Sequence, residues 1–471
     1  MGHGAAPGMA AAQRHGAGPA VATAPRRPEL LAPAGTLRAL EYALAYGADA
    51  VYAGVPRYSL RVRNNAFDLA TLARGIDTAH RRGRRFYLAA NALPHGAKLK
   101  TFLEDMAPVV ALGPDAVIMA DPGLILLVRE RWPELPVHLS VQANTTNAAA
   151  VRFWQRQGIA RVILSRELSL QEITEIRDAC PDMELEVFVH GAVCIAYSGR
   201  CLLSGYFNHR DANQGTCTNA CRWEYRLAQP AASDSTESDP RARPIDAADL
   251  LAAEPAAAGH RHPAADEVWL LEEARRPGEY MPVFEDEQGT YVLNAKDLRA
   301  VQHVAALSAL GIDCLKIEGR TKSHYYAART TRVYRQAIDD AAAGRPFRRE
   351  LLEELEALAN RGYTDGFYRR QAGSAAQNYS DGASRSRRRI FVGEVIGPDT
   401  ATGLVEVAVK NRFAVGDDLE LVTPAGLRRW RLEAMLGPDG APLTTAPGDG
   451  WRVRLPLPWP QARYGLLTAA V

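Results

Sequence analysis

Cys194, Cys201, Cys217 and Cys221 follow the spacing Cys-x6-Cys-x15-Cys-x3-Cys, four thiols within 28 residues. Thiolates are soft ligands, and four of them on one loop can close a tetrahedral zinc site or anchor a four-iron cluster. Zinc knuckles usually use paired Cys-x2-Cys hooks, so the long spacings fit a cluster at least as well; unrelated cysteines are a third reading. The remaining cysteines, Cys180 and Cys314, lie outside this group and read as buried core thiols. Six cysteines in 471 residues are too few for a disulfide scaffold. His190 stands four residues before Cys194. With a near-neutral pKa it can act as an acid or base, or it can hold the loop through a hydrogen bond.

Other polar residues fall where a pocket could use them. Asn91, Gln142 and Asn144 can hydrogen-bond a nucleobase edge or a carboxylate, or can satisfy one another in a polar interior. Glu318 is flanked by Lys316 and Arg320, which suits either a catalytic carboxylate with two cations for an acidic ligand or a structural ion pair. Arg61 and Arg63 follow the second apolar run and could take a phosphate. Two basic groups suit RNA: Arg385, Arg387, Arg388 and Arg389, and Arg428, Arg429 and Arg431 interleaved with Trp430. Clustered arginines supply a salt-dependent phosphate contact, and an aromatic ring can stack on a splayed base. Either group could equally be a solvated charge run.

The elements that must position these residues form an alternating series. Runs rich in β-formers at Leu30–Gly35, Ala50–Val55, Arg85–Asn91, Ala116–Asp121, Pro136–Asn144, Arg161–Leu168 and Leu185–Ala192 alternate with helical segments, and an eighth, Asp313–Arg320, follows a long interruption. Eight such units predict an α/β fold, a (β/α)8 TIM-like barrel, over an open doubly wound sheet. No Gly-x-Gly-x-x-Gly opens the first helix, which weakens a dinucleotide site. Strand alternation turns His138, Ser140, Gln142 and Asn144 inward from the fifth run, Glu186, Phe188 and His190 from the seventh, and Lys316, Glu318 and Arg320 from the eighth. Polar groups therefore gather towards the C-terminal ends of the strands, where barrel enzymes place their chemistry.

Residues 1–27, rich in Ala, Gly and Pro, read as a disordered leader without the apolar core of a secretory signal, so a cytoplasmic location is expected. The barrel is assigned to 28–230 and 268–345. The intervening 231–267, with eight acidic and three basic side chains and no periodic apolar face, reads as a disordered acidic insertion. Residues 346–389 read as a helical, basic linker. From 390 to 471, short runs at Phe391–Ile396, Leu404–Val409, Asp418–Val422, Arg428–Met435 and Trp451–Leu455 predict a small separate β-barrel or sandwich. No apolar stretch approaches the roughly 20 residues of a membrane span. A net charge of +2 leaves both nucleic acid and small acidic ligands open as partners.

The run HGAVCIAYSGRCLLSGYFNHRDANQGTCTNACRWEY over 190–225 resembles the signature of the U32 "peptidase" family. So do ELLAPAG at 29–35, DAVYAG at 49–54, RPGEYM at 276–281 and LKIEGRTKS at 315–323; the likeness spans about 28 to 470 apart from the acidic insertion. Within the family the chain is most similar to the bacterial prephenate-dependent tRNA hydroxylases. The resemblance implies a catalytic barrel and a C-terminal β-barrel like those of translation factors. It also implies a [4Fe-4S] cluster on Cys194, Cys201, Cys217 and Cys221, and C5 hydroxylation of the wobble uridine (uridine 34) of tRNA with prephenate as co-substrate. Two other readings stand beside it: a collagenase-like peptidase, for which no His-Glu-x-x-His or Gly-x-Ser-x-Gly motif is found, and an RNA-binding accessory protein with a structural cluster.

Overall fold

The computed structural model describes residues 27–60, 66–193, 296–360, 362–369, 389–399, 402–459 and 462–471, and the backbone of strands at 225–229, 243–245, 269–273 and 280–283. Seven parallel strands, β1 (Glu29–Pro33), β2 (Ala50–Gly54), β3 (Arg85–Ala90), β4 (Ala116–Met119), β5 (Val137–Leu139), β6 (Arg161–Ile163) and β7 (Glu184–Gly191), pair in chain order. Four strands intervene, β8 (Tyr225–Gln229), β9 (Arg243–Ile245), β10 (Trp269–Glu273) and β11 (Tyr280–Val283); they form a separate antiparallel sheet in the order β11-β10-β8-β9. After β12 (Asp297–Arg299) the chain enters β13 (Cys314–Ile317), which pairs parallel with both β1 and β7 and closes an eight-stranded barrel. The expected TIM-like barrel is therefore the fold.

The connecting helices are punctuated by side chains that satisfy their free amides. Asp68 and Thr71 make a reciprocal capping box at the helix Leu69–His80, and Ser169 and Glu172 do the same for the helix at Leu170–Ala179. The long helix after β13, His324–Ala342, starts at Ser323, whose hydroxyl accepts the Tyr326 amide. The core lies between these helices and the outward faces of the strands, with Leu185, Val187, Leu315 and Ile317 buried there.

Two expected boundaries change. Arg243–Ile245, inside the segment expected to be disordered, is the edge strand β9, where Pro244 is tolerated because an edge leaves amide positions unused. The expected linker at 346–389 begins as part of the barrel: Leu351, Leu355 and Leu358 recur at helical spacing and are buried, β14 (Tyr363–Thr364) pairs with β12, and the Tyr368 hydroxyl donates to Phe188 O at 2.7 Å.

The C-terminal domain is a six-stranded antiparallel sheet of β15 (Arg389–Pro398), β16 (Val405–Val409), β18 (Asp418–Thr423), β19 (Gly426–Arg431), β21 (Arg452–Leu455) and β22 (Leu466–Ala470), ordered β19-β18-β22-β15-β16-β21; a short pair, β17 (Phe413–Ala414) and β20 (Thr445–Ala446), lies beside it. Past β19, Leu436 exchanges two backbone hydrogen bonds with Arg454 of β21, which curls the sheet around its own core of Val392, Val407, Leu421 and Leu467. The domain is not detached from the barrel. Arg329 and Glu420, both almost fully buried, pair at 2.9 Å across the junction, Phe391 stacks on Tyr325 at 4.7 Å, and the Tyr46 hydroxyl reaches Val422 O at 2.9 Å. Among the described residues no helix is long and apolar enough to cross a membrane.

Candidate active site

Two layers of polar side chains fill the barrel. In the lower layer Glu186, fully buried, is held by Lys316 Nζ at 2.8 Å and Arg161 Nη1 at 3.3 Å. Arg161 also reaches Glu29 at 2.7 Å and Glu184 at 2.9 Å, and the His138 ring stands 4.8 Å from that of Tyr87. Burial pushes the Glu186 carboxyl up, but Lys316 and Arg161 outweigh it and hold it at about 2. Lys316 is thus committed to a buried pair, over the Tyr52 ring at 4.4 Å, rather than reaching outward for substrate. A polar cavity of about 420 Å³ opens at the opposite, N-terminal end of the strands. Its charges pair among themselves, Arg84 with Asp49 and Arg85 with Glu29, and that end of a barrel serves stability.

The upper layer lies at the C-terminal ends. Asn91 donates to Gln142 Oε1 at 3.0 Å and accepts the Leu60 amide, and Ser140 bonds Gln142. The alternation of β5 stops at Leu139, where a 3-10 turn over Val141–Ala143 begins, and Asn144 follows in the left-handed region with φ 49°. Asn91 and Gln142 therefore come together while Asn144 caps the turn. The Tyr52 hydroxyl lies 3.1 Å from Glu318 Oε2 and 3.0 Å from Ile317 O, and Arg320 Nη1 donates to Ser59 Oγ at 2.6 Å. Burial raises the Tyr52 pKa well above its ordinary value, so the hydroxyl stays protonated as a donor.

His190 does not share this layer. The pairing of β7 with β13 shifts register between Lys316 and Ile317, matching Phe188 to Lys316 but His190 to Ile317, so Val189 is an extra residue. That bulge carries His190 into a cage of Tyr326, Tyr334 and Tyr363, with ring centroids 5.4 to 5.8 Å away. Burial lowers its pKa to about 3, so the imidazole is neutral at physiological pH and holds the strand end. Gly191 follows with φ 106°; a Cβ there would stand 2.5 Å from Glu318 O, so the crossing of β7 over the segment after β13 requires glycine.

The cysteine run leaves from this point. Cys194, Cys201, Cys217 and Cys221 themselves lie outside the described residues, as do Arg61, Arg63, Arg385, Arg387 and Arg388. The described flank, Ala192–Val193, sits at the barrel mouth, with Ala192 O accepting Arg166 Nη1 at 2.7 Å. Cys180 and Cys314 are buried and free; Cys314 opens β13 opposite Glu29, at the end of the barrel far from the mouth.

The sequence pattern of peptidase family U32 matches residues 35–378, and that of the peptidase family U32 C-terminal domain matches residues 387–468. The chain belongs to peptidase family U32. Over 442 residues this U32 chain is 59% identical to the tRNA hydroxylation protein P of Escherichia coli (strain K12), covering 94% of this chain and 96% of that protein. It is 55% identical over 432 residues to the protein of the same name from Haemophilus influenzae (92% and 94% covered) and 34% identical over 405 residues to tRNA hydroxylation protein P1 of Bacillus subtilis (85% and 84% covered).

Of the residues expected to meet RNA, Arg389 is turned into the fold: it donates to Thr468 Oγ1 and Asp418 O, both at 2.8 Å. Trp430 is half-buried against the core of the C-terminal domain. Arg428 is exposed and lies 4.3 Å over the ring of Trp459, which, like Trp430, is half-buried against that core. Two further residues of the mouth are Tyr52, which strand alternation in β2 turns inward, and Arg166, which lies in a run that reads as strand in the sequence.

Proposed function

We propose that this U32 chain is a tRNA hydroxylase that adds oxygen at C5 of the wobble uridine, with prephenate as co-substrate and a [4Fe-4S] cluster held by Cys194, Cys201, Cys217 and Cys221. The observation that carries the reading is identity of 59% across nearly the whole of both chains to a tRNA hydroxylation protein. It is supported by the site: a four-thiol loop rooted at Ala192–Val193 next to a barrel mouth lined by Asn91, Gln142, Tyr52, Glu318 and Arg320. Four thiols are the donor set a four-iron cluster takes, and bound there it would supply electron transfer or polarisation of a substrate oxygen.

The chain's own side chains have definable tasks. Amide and carbonyl groups of Asn91 and Gln142 can read a uracil edge, which presents both donors and acceptors. Glu318, steadied through Tyr52, can take a proton from the uracil ring or from a bound water, and Arg320 can hold a carboxylate. A wobble base is unpaired in free tRNA, so it enters a pocket without the cost of opening a duplex.

Iron and acid-labile sulfide analysis of anaerobically purified protein tests the reading. Four irons per chain are expected, lost together in Ser variants of Cys194, Cys201 or Cys217 and retained in Cys180→Ser. Zinc in place of iron, or full iron in all three variants, would refute the cluster assignment.

A further inference from the structure

After β6, Arg166 is positioned by two contacts that, among the described residues, leave one edge of its guanidinium unused. Its plane lies over the Phe188 ring, with Cζ 3.9 Å from the centroid, and Nη1 donates to Ala192 O at 2.7 Å. The stack fixes the plane and the single in-plane bond fixes its rotation. Nε is buried with no hydrogen-bond partner, and among the described residues Nη2 makes no hydrogen bond and no carboxylate lies within ion-pair distance. The Nε/Nη2 edge is the side of arginine that matches the two oxygens of a carboxylate with parallel bonds.

Its surroundings favour an anion. Arg320 stands at the same end of the barrel and Lys316 in the layer below it; both, like Arg166, lie close to Tyr52, and Lys316 also lies 5.4 Å from the Phe188 ring that Arg166 covers. Of the two carboxylates among them, Glu186 is taken up by Lys316 and Arg161, and Glu318 meets the Tyr52 hydroxyl. A buried donor without a partner is unfavourable in the free protein and is relieved by a ligand that accepts from it. Ala192 is two residues before the first cysteine of the loop, so a ligand on this edge would sit at the root of the four-thiol site.

We propose that the Nε/Nη2 edge of Arg166 receives a carboxylate of the small acidic co-substrate and holds it beside the root of the cysteine loop. The inference rests on the tRNA hydroxylase reading, since it takes prephenate as the acid. Titration calorimetry of prephenate into anaerobic holoprotein tests it with Arg166→Gln and Arg166→Lys, alongside iron content and melting temperature. Loss of a two-point, charge-assisted contact weakens binding about ten- to a hundredfold in Arg166→Gln. Arg166→Lys keeps a cation and a donor for Ala192 O but not the fork, and is expected to recover part of the loss. If Arg166→Gln sheds its cluster, Arg166→Lys with full iron still has to bind several-fold more weakly than wild type. Both variants binding within twofold of wild type would overturn the assignment of Arg166 alone. A wild-type holoprotein that binds no prephenate would overturn the co-substrate reading and this inference with it.

Discussion

Replacing Glu186 with Gln removes the only carboxylate that, among the described residues, lies within ion-pair distance of Lys316 inside the barrel. Arg161 would keep Glu29 at 2.7 Å and Glu184 at 2.9 Å, so the orphaned charge is the lysine. The magnitude follows from two routes. A carboxyl lowered from 4.5 to about 2 corresponds, at about 1.36 kcal/mol per pH unit, to roughly 3 kcal/mol of folding stability. Breaking a buried pair by deleting one partner costs about 3–5 kcal/mol. Because the folded value is depressed, this stability is fully present above the unfolded value of 4.5 and is lost as pH falls towards about 2. Urea unfolding at pH 7, followed by far-ultraviolet circular dichroism, should therefore place Glu186→Gln about 3 kcal/mol below wild type. Lys316→Met should cost less, since Glu186 retains Arg161 at 3.3 Å. A loss under about 1 kcal/mol for Glu186→Gln, or a larger loss for Lys316→Met, would show that Lys316 does not depend on Glu186 for its charge balance.

Three further outcomes are expected. Glu420→Gln leaves Arg329 buried without its partner at the domain junction, so differential scanning calorimetry should show the barrel and the C-terminal domain melting in separate steps where wild type melts in one; an unchanged single transition would mean that the apolar contacts alone hold the domains together. His190, held near 3, resists a proton that the unfolded chain accepts below its ordinary 6.5, so wild type should lose stability as pH falls from 6.5 by up to about 1.4 kcal/mol per pH unit, and His190→Gln should show a flatter dependence between 6.5 and 4.5; equal slopes would contradict a buried neutral imidazole. Gly191→Ala must hold a left-handed residue with its Cβ 2.5 Å from Glu318 O, at a cost of roughly 1–3 kcal/mol from the backbone alone, read as a lowered melting temperature; a variant as stable as wild type would show that the crossing relaxes freely.

The sequence carried the barrel because parallel strands buried on both faces leave a strong alternation of apolar runs and helices, and all eight expected runs begin within one residue of the observed strands. β22 was passed over: Leu-Leu-Thr-Ala-Ala has no polar alternation, since it is a central strand covered on both sides. The orientation of Glu186, Phe188 and Lys316 was legible from period two, whereas that of His190 was not, because one extra residue in β7 reverses the facing of everything after it. Asn91 and Gln142 were expected either to meet a ligand or to satisfy one another; which of them bond each other depends on the turn that ends β5, which no local pattern announces. Arg389 read as one of four arginines facing RNA or solvent, and only the pairing of β15 with β22 places it against Thr468.

The wobble base of tRNA carries the product of the proposed reaction. Cells lacking this protein should be grown without air, or in a background without oxygen-dependent enzymes of the same outcome, and their tRNA digested for nucleoside mass spectrometry. The expected result is that 5-oxyuridine derivatives at the wobble position fall sharply, that unmodified uridine accumulates there, and that wild-type protein restores the oxygen while Cys194→Ser does not. Unchanged 5-oxyuridine derivatives under those conditions would contradict the assignment of this U32 chain as a tRNA hydroxylase.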